Sequence, residues 1–193
     1  MKTKKILVLL GNPDKDSFSG GVADGYEKSA RDAGHEVMRV NIGELAFDPI
    51  LHKGYKEIQA LEPDLIKLQE AWRWADHVVI VYPNWWCTMP AILKGMFDRM
   101  YLPGFAFNFD KVSKKVVQRL KGKTARVIVL AGTASPFMTW LKYGDFTNEI
   151  AYGILGFSGM KARVSVFGPC DKVNDACRAR WMRKIEKLAK KGV

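Results

Sequence analysis

Short β-favouring runs alternate along this chain with stretches whose apolar residues recur at helical spacing, and that alternation restricts it to an α/β layer architecture. Ile6 to Leu10, Glu36 to Asn41, His77 to Val81, Ala125 to Ala131 and Lys161 to Phe167 read as five strands. Between them Val22, Ala23, Tyr26, Ala30 and Ala33 share a helical face that Gly34 ends, and Leu65, Leu68, Trp72 and Ala75 share another that begins near Pro63. Pro90 to Tyr101 continues as helix, and Asn174 to Lys191 is the last helical stretch. Strand and helix in turn imply a parallel sheet with right-handed crossovers. Phe109 to Thr124 is polar and without clear periodicity, so it reads as a loop; Gly43 to Leu61 is longer than most connections in compact domains. The 193 residues, 48% of them apolar, suffice for one domain spanning 1–193.

In an open sheet of this kind ligands bind beyond the carboxyl ends of the strands, so the loops there carry the functional information. The third strand runs toward Pro83, and Asn84-Trp85-Trp86-Cys87-Thr88-Met89 then leads to Pro90, whose fixed φ suits the first turn of a helix. Two adjacent indoles on such a loop offer a flat wall to a planar aromatic ligand, or else cap the core. After the first strand, Gly11-Asn12-Pro13-Asp14-Lys15-Asp16-Ser17-Phe18-Ser19 runs into a helix whose N-terminal N–H groups suit a phosphate. Ser17 and Ser19 there are hydroxyl donors to an anion or simple N-caps. After the fourth strand, the small residues of Ala131-Gly132-Thr133-Ala134-Ser135-Pro136 permit a close approach of backbone to a polar ring edge. Rival phosphate motifs fail. No Gly-x-Gly-x-x-Gly follows a strand, and Gly122-Lys123-Thr124 has Val117 where a P-loop needs glycine and precedes a strand instead of a helix.

Tyr82, Pro83, Trp86, Pro90 to Gly95, Phe97, Asp98 and Arg99, followed by Gly104-Phe105-Ala106-Phe107, resemble the corresponding loop and helix of the flavin-dependent NAD(P)H:quinone oxidoreductases. These are short flavodoxin-like flavoproteins that include the potassium-efflux ancillary reductases. The resemblance implies a flavodoxin-like, doubly wound five-stranded parallel sheet with helices on both faces. It implies hydride transfer from NAD(P)H by way of bound flavin to a quinone or similar small acceptor, in ping-pong order. FMN is expected and FAD is the alternative, since no segment obviously accommodates an adenosine half. Ser17 and Phe18 match the family's phosphate loop; Asn12 stands where the family often has His, and Ser19 where it often has Asn. Pro83, Asn84, Trp85 and Trp86 correspond to the ring wall, and Gly132 and Thr133 to part of the ring-edge loop. Aligning Tyr143-Gly144-Asp145 on the family's His-Gly-Asp puts Phe137 at the position of the relay Tyr and Tyr143 at that of the relay His, which leaves Tyr143 as the catalytic proton donor. Phe47-Asp48-Pro49 is similar to a string that leads, in relatives, into a segment packed at a dimer interface with shared flavin sites, so a homodimer is implied.

The formal net charge is +11. Lys111, Lys114, Lys115, Arg119, Lys121, Lys123 and Arg126 crowd one segment against Asp110, and a second cluster lies on the last helix. Such clusters serve as solvated faces, as polyanion surfaces, or as guides for an anionic cofactor such as NADPH; the first reading is preferred over nucleic-acid binding, since only Trp181 interleaves them. Cys87, Cys170 and Cys177 form no Cys-x-x-Cys motif and read as reduced thiols, Cys87 as a reactive thiol or a small buried hydrophobe. His35, His52 and His77 lack metal-ligand spacing and read as surface or strand-end residues. Ile6 to Leu10 is too short for a signal-peptide core, and no stretch approaches the roughly 20 apolar residues of a membrane span, so a soluble cytoplasmic protein is expected. Two other classes share parts of this pattern: a flavodoxin-type electron carrier, and a non-enzymatic polyanion-binding protein.

Overall fold

The structure, a computed structural model, describes residues 2–132, 137, 141 and 149–193. Its main sheet contains β1 (Lys5–Leu10), β2 (Glu36–Asn41), β3 (His77–Asn84), β6 (Thr124–Ala131) and β7 (Lys161–Phe167), in the order β2-β1-β3-β6-β7 and with every neighbouring pair parallel. The chain thus passes outward on one side of β1 and then on the other, which is the doubly wound, flavodoxin-like arrangement.

Because side chains alternate across a strand, each face of the sheet has its own core. Leu7 and Leu9 of β1, Val78, Ile80 and Tyr82 of β3, and Val127 and Val129 of β6 meet α2 (Pro63–Trp74) and α3 (Ala91–Met100). Ile6, Val8 and Leu10, with Val79, Val81, Ile128 and Leu130, meet α1 (Phe18–Asp32) and α4 (Asp175–Lys191) on the opposite face. The first core is extended by Trp72, Phe97 and Tyr101, whose rings pack edge to face, and by the π-helical segment Glu149–Gly156.

Two expectations need correction. Phe109 to Thr124 is not all loop: β4 (Phe107–Phe109) pairs antiparallel with β5 (Val116–Gln118) in a small hairpin, its turn held by Asp110, which accepts from Ser113 N–H at 2.7 Å and Oγ at 2.8 Å. All three β5 residues are exposed, so no inside–outside alternation marks the strand. His35 and His77 are strand-end residues, as expected, His35 directly before β2 and His77 opening β3, and both are buried, 6% and 2% exposed. Arg126 differs from the exposed Lys111, Lys114, Lys115 and Lys121 of its cluster: it lies within β6 and is 7% exposed.

Candidate functional site at the carboxyl edge of the sheet

The carboxyl ends of β1, β3, β6 and β7 open on one cavity of about 290 Å³. From β1 come Asn12, Ser17, Phe18 and Ser19; from β3, Pro83, Asn84 and Trp85; from β6, Leu130 and Gly132; and from the loop after β7, Cys170 and Asp171. Residues far apart in sequence are gathered here because parallel strands all end on the same side.

The β1 loop is organised by a buried amide. Asn12 Nδ2 donates to Ser17 Oγ at 2.9 Å and to Ser19 Oγ at 2.8 Å, while its Oδ1 accepts from Asp14 N–H at 3.0 Å. Ser17 caps α1, accepting from Gly20 N–H at 3.3 Å, and donates its own proton to the Asp14 carbonyl at 2.7 Å. With both Asn12 protons and the Ser17 proton so used, the Ser19 hydroxyl, 2.9 Å from Ser17 Oγ, is the one able to turn its proton toward an anion. Gly20 permits the loop to fold back on the first turn, since a Cβ there would lie 1.7 Å from the Lys15 carbonyl oxygen. Asp14 and Asp16 are exposed and do not line the cavity, so their charges are kept out of it. The helix N-terminus and the hydroxyls make this end of the cavity suited to a phosphate.

Beyond Asn84, Trp85 and Thr88 exchange two backbone hydrogen bonds of 3.0 Å around a two-residue turn. Trp86 and Cys87 supply the positive φ values, 53° and 63°, that such a turn needs. Trp85 therefore stays in the cavity wall, while Trp86 is carried to the tip of the turn and is 98% exposed, outside the cavity lining. Glu149 fastens the loop from the far side, accepting from Thr88 Oγ1 at 2.8 Å and Met89 N–H at 3.1 Å. Asn84 Oδ1 is buried with no hydrogen-bond partner among the described residues, which leaves an acceptor in the wall that a ligand N–H or O–H would satisfy.

On the third side Asp171 N–H donates to the Gly132 carbonyl at 3.3 Å, and a Cβ on residue 132 would stand 3.1 Å from Asp171 Oδ2. Burial first, then the neighbouring Asp171 carboxylate, push the Cys170 thiol up to about 11 against the opposing charge of Arg178, so it is a neutral thiol at neutral pH. Arg178 of α4 sets its guanidinium 5.4 Å from the Phe18 ring centre, bringing a cation to the start of α1. Leu130, Cys170, Asp171 and Arg178 were not foreseen. Cys170 and Asp171 follow the fifth strand, so the carboxyl-edge rule that singled out the other loops applies to them equally. Thr133 and Tyr143 lie outside the described residues; Phe137 is 67% exposed. Among the described residues no three His, Cys, Asp or Glu groups are placed to hold a metal, and no helix is long and apolar enough to cross a membrane.

A second, larger cavity of about 560 Å³ opens beside α3, walled by Phe97, Tyr101, Phe107, Phe109 and Phe157 with Tyr55 at its edge. None of the residues predicted to bind cofactor reaches it.

Residues 4–188 match a family described as having a flavodoxin-like fold. The chain is 26% identical over 185 residues to NAD(P)H dehydrogenase [quinone] 1 of Rattus norvegicus, covering 83% of this chain and 67% of the rat protein. Among solved structures, an NAD(P)H:quinone oxidoreductase from Methanothermobacter marburgensis superposes with a TM-score of 0.83 at 21% identity, covering 98% of both chains. An FMN-dependent NADH-azoreductase from Bacillus anthracis in complex with FMN gives 0.78 at 16% identity, covering 97% of this chain and 98% of the other.

Proposed function

The chain belongs to the flavodoxin-like fold family, and from that premise we propose that it is a flavin-dependent NAD(P)H oxidoreductase using FMN to pass a hydride to a quinone or similar small acceptor. The observation that carries the reading is the convergence, in one cavity, of the Asn12–Ser17–Ser19 hydroxyl cluster at a helix N-terminus with the Trp85 wall and the unsatisfied Asn84 acceptor.

The residues present fit such a group. The α1 N-terminus, Phe18 N–H and Ser19 would hold a phosphate, with Arg178 close enough to add charge. Pro83 and Trp85 would flank a planar ring, Asn84 Oδ1 would accept from a ring N–H or a hydroxyl, and Gly132 would admit the ring edge to the backbone. Thr133 is assigned beside Gly132, and Trp86 at the rim. The bound flavin supplies the two-electron chemistry itself, so the chain's work is to orient, shield and move protons. Tyr143 is assigned the proton donation that the relay His performs in the quinone reductases. The two substrates would use one open side in turn, which sets a ping-pong order. FMN is preferred to FAD, as in the FMN-dependent azoreductase that shares the fold.

A homodimer is part of this reading. Tyr55, Phe109 and Phe157 are exposed around the cavity beside α3, and an apolar aromatic face of this kind is commonly covered by a partner. Three free cysteines suit a reducing cytoplasm.

The test is the absorbance spectrum of the purified protein supplied with FMN, recorded anaerobically before and after NADPH and then after a quinone. Bleaching by the nucleotide and recovery with the quinone are expected. Bound flavin that the nucleotide leaves oxidised would make the protein an electron carrier, and absence of flavin binding would overturn the enzyme reading.

A further inference from the structure

At the opposite edge of the sheet the starts of β1, β3, β6 and β7 surround a cavity of about 250 Å³. Four cations line it, Lys4, Arg126, Lys161 and Arg163, together with His77 and Thr124. No acidic side chain does. Val193 is also among its lining residues, its carbonyl accepting from the Tyr26 hydroxyl at 3.4 Å, and the one acid next to His77, Asp76, accepts from the Lys5 N–H at 3.0 Å. Among the described residues, Lys4 Nζ donates to the Gly192 carbonyl at 2.7 Å.

The buried groups of this cavity are under-satisfied. Arg126 is 93% removed from solvent, Nη1 reaches Ser165 Oγ at 3.3 Å, and Nε has no partner among the described residues. His77 gives Nδ1 to a 2.7 Å hydrogen bond with Thr124 Oγ1, and its Nε2 is likewise unpartnered. Buried donors are ordinarily bonded, and a buried cation is ordinarily paired. Here burial first, then Arg163 against the opposing influence of Tyr26, disfavours the charge on Arg126, and burial followed by Lys4, Arg126 and His35 holds His77 neutral. A compact anion with several acceptor oxygens would satisfy all of them together, and a planar guanidinium flanked by lysines is the arrangement that recognises a tetrahedral oxyanion.

We propose that this cavity is a second ligand site that takes a phosphate group, either free orthophosphate or the terminal phosphate of a small ester. The length of β6 separates it from the carboxyl-edge site by about 25 Å, at roughly 3.3 Å per residue. The proposal stands apart from the flavin reading and does not depend on it.

Isothermal titration of the full chain with inorganic phosphate, at ionic strength held constant with chloride, tests it in wild type, Lys161→Ala/Arg163→Ala and Ser17→Ala. Lys161 and Arg163 are exposed, so the double variant should fold; circular dichroism checks this, and Arg163→Gln alone serves if it does not. The expected result is a binding component at least tenfold weaker in the Lys161/Arg163 variants and intact in Ser17→Ala. Absence of binding in wild type, a component unchanged by the Lys161 and Arg163 replacements, or one abolished by Ser17→Ala would each overturn the assignment. Glycerol 2-phosphate as second titrant separates the sources: an equal response assigns an ester phosphate, and a response to orthophosphate alone assigns the free ion.

Discussion

Arg99 grips Glu62 with both ends of its guanidinium, Nη1 to Oε1 and Nη2 to Oε2, each at 3.0 Å. The Arg99 side chain is 1% exposed, and it also donates to the carbonyls of Ala60, at 2.7 Å, and Asp48. One residue of α3 thereby fastens both ends of the irregular segment between β2 and α2, which has few backbone bonds of its own. The same helix makes room for that segment at Gly95, where a Cβ would come within 2.5 Å of Pro49.

Arg99→Ala removes a buried guanidinium and leaves the Asp48 and Ala60 carbonyls without their donor, while Glu62, 28% exposed, is rehydrated, so the fold should lose about 1–3 kcal/mol in urea unfolding. Burial raises the Glu62 carboxyl, but the Arg99 hydrogen bonds, with backbone N–H groups, outweigh it and hold the group below its ordinary 4.5. A lowered folded-state value means stability that is complete above the unfolded value and lost as pH falls through the folded one. Wild type should therefore weaken below about pH 4.5 more steeply than Glu62→Gln. Parallel slopes in the two proteins would refute the coupling.

Adjacent glycines at the start of α1 should respond oppositely to alanine. At Gly20 the new Cβ would stand 1.7 Å from the Lys15 carbonyl oxygen, whereas at Gly21 it meets nothing within 4 Å. Gly20→Ala should cost about 1–3 kcal/mol, as overpacking does, and distort the Asn12–Ser17–Ser19 cluster. Gly21→Ala, at an exposed helical position, should stabilise by about 0.5–1 kcal/mol. Thermal melts of the two variants decide the point.

The central strands of the main sheet were legible because they are buried on both faces, so uninterrupted runs such as Ile6 to Leu10 stand out, and the partly exposed edge strands Glu36–Asn41 and Lys161–Phe167 also have the expected bounds. The β4–β5 hairpin was not, since three-residue strands with exposed side chains carry no period. In the site, Asn12, Ser17 and Trp85 follow from position at strand ends, whereas Arg178 reaches Phe18 only through the packing of α4 on α1, which spacing does not encode. The backbone turn explains Trp86: two successive positive-φ residues direct it away from the wall its neighbour forms. Arg126 was readable in principle. A cation inside the apolar run Ala125 to Ala131 differs from the lysines of a polar segment, and grouping it with them hid its burial.

His77 should make the fold sensitive to mild acid. Burial first, then the charges of Lys4, Arg126 and His35, lower the ring from 6.5 to about 3. Between those values the unfolded chain binds a proton that the folded chain refuses, so stability is full above about pH 6.5 and declines as pH falls toward 3, by on the order of 4 kcal/mol in all. His77→Gln keeps a hydrogen-bonding group beside Thr124 without a titrating ring, and its unfolding free energy should be flat across the upper part of that window, from pH 6.5 to 5. A decline as steep as that of wild type would place the acid sensitivity elsewhere.

The two indoles of the β3 loop separate wall from rim. Trp85 lines the cavity and is 46% exposed, whereas Trp86, at φ 53° in the turn, is 98% exposed. Trp85→Ala should raise the FMN dissociation constant about tenfold, since stacking and burial of one aromatic wall contribute roughly 1–1.5 kcal/mol. Trp86→Ala should leave FMN affinity within about twofold of wild type, because its side chain touches none of the cavity, and should act on the quinone KM if the rim meets the acceptor. Fluorescence titration with FMN measures the first and steady-state quinone reduction the second. A larger loss of FMN from Trp86→Ala than from Trp85→Ala would mean that the turn folds over the cavity when cofactor binds, since only that movement brings the tip indole to the ring.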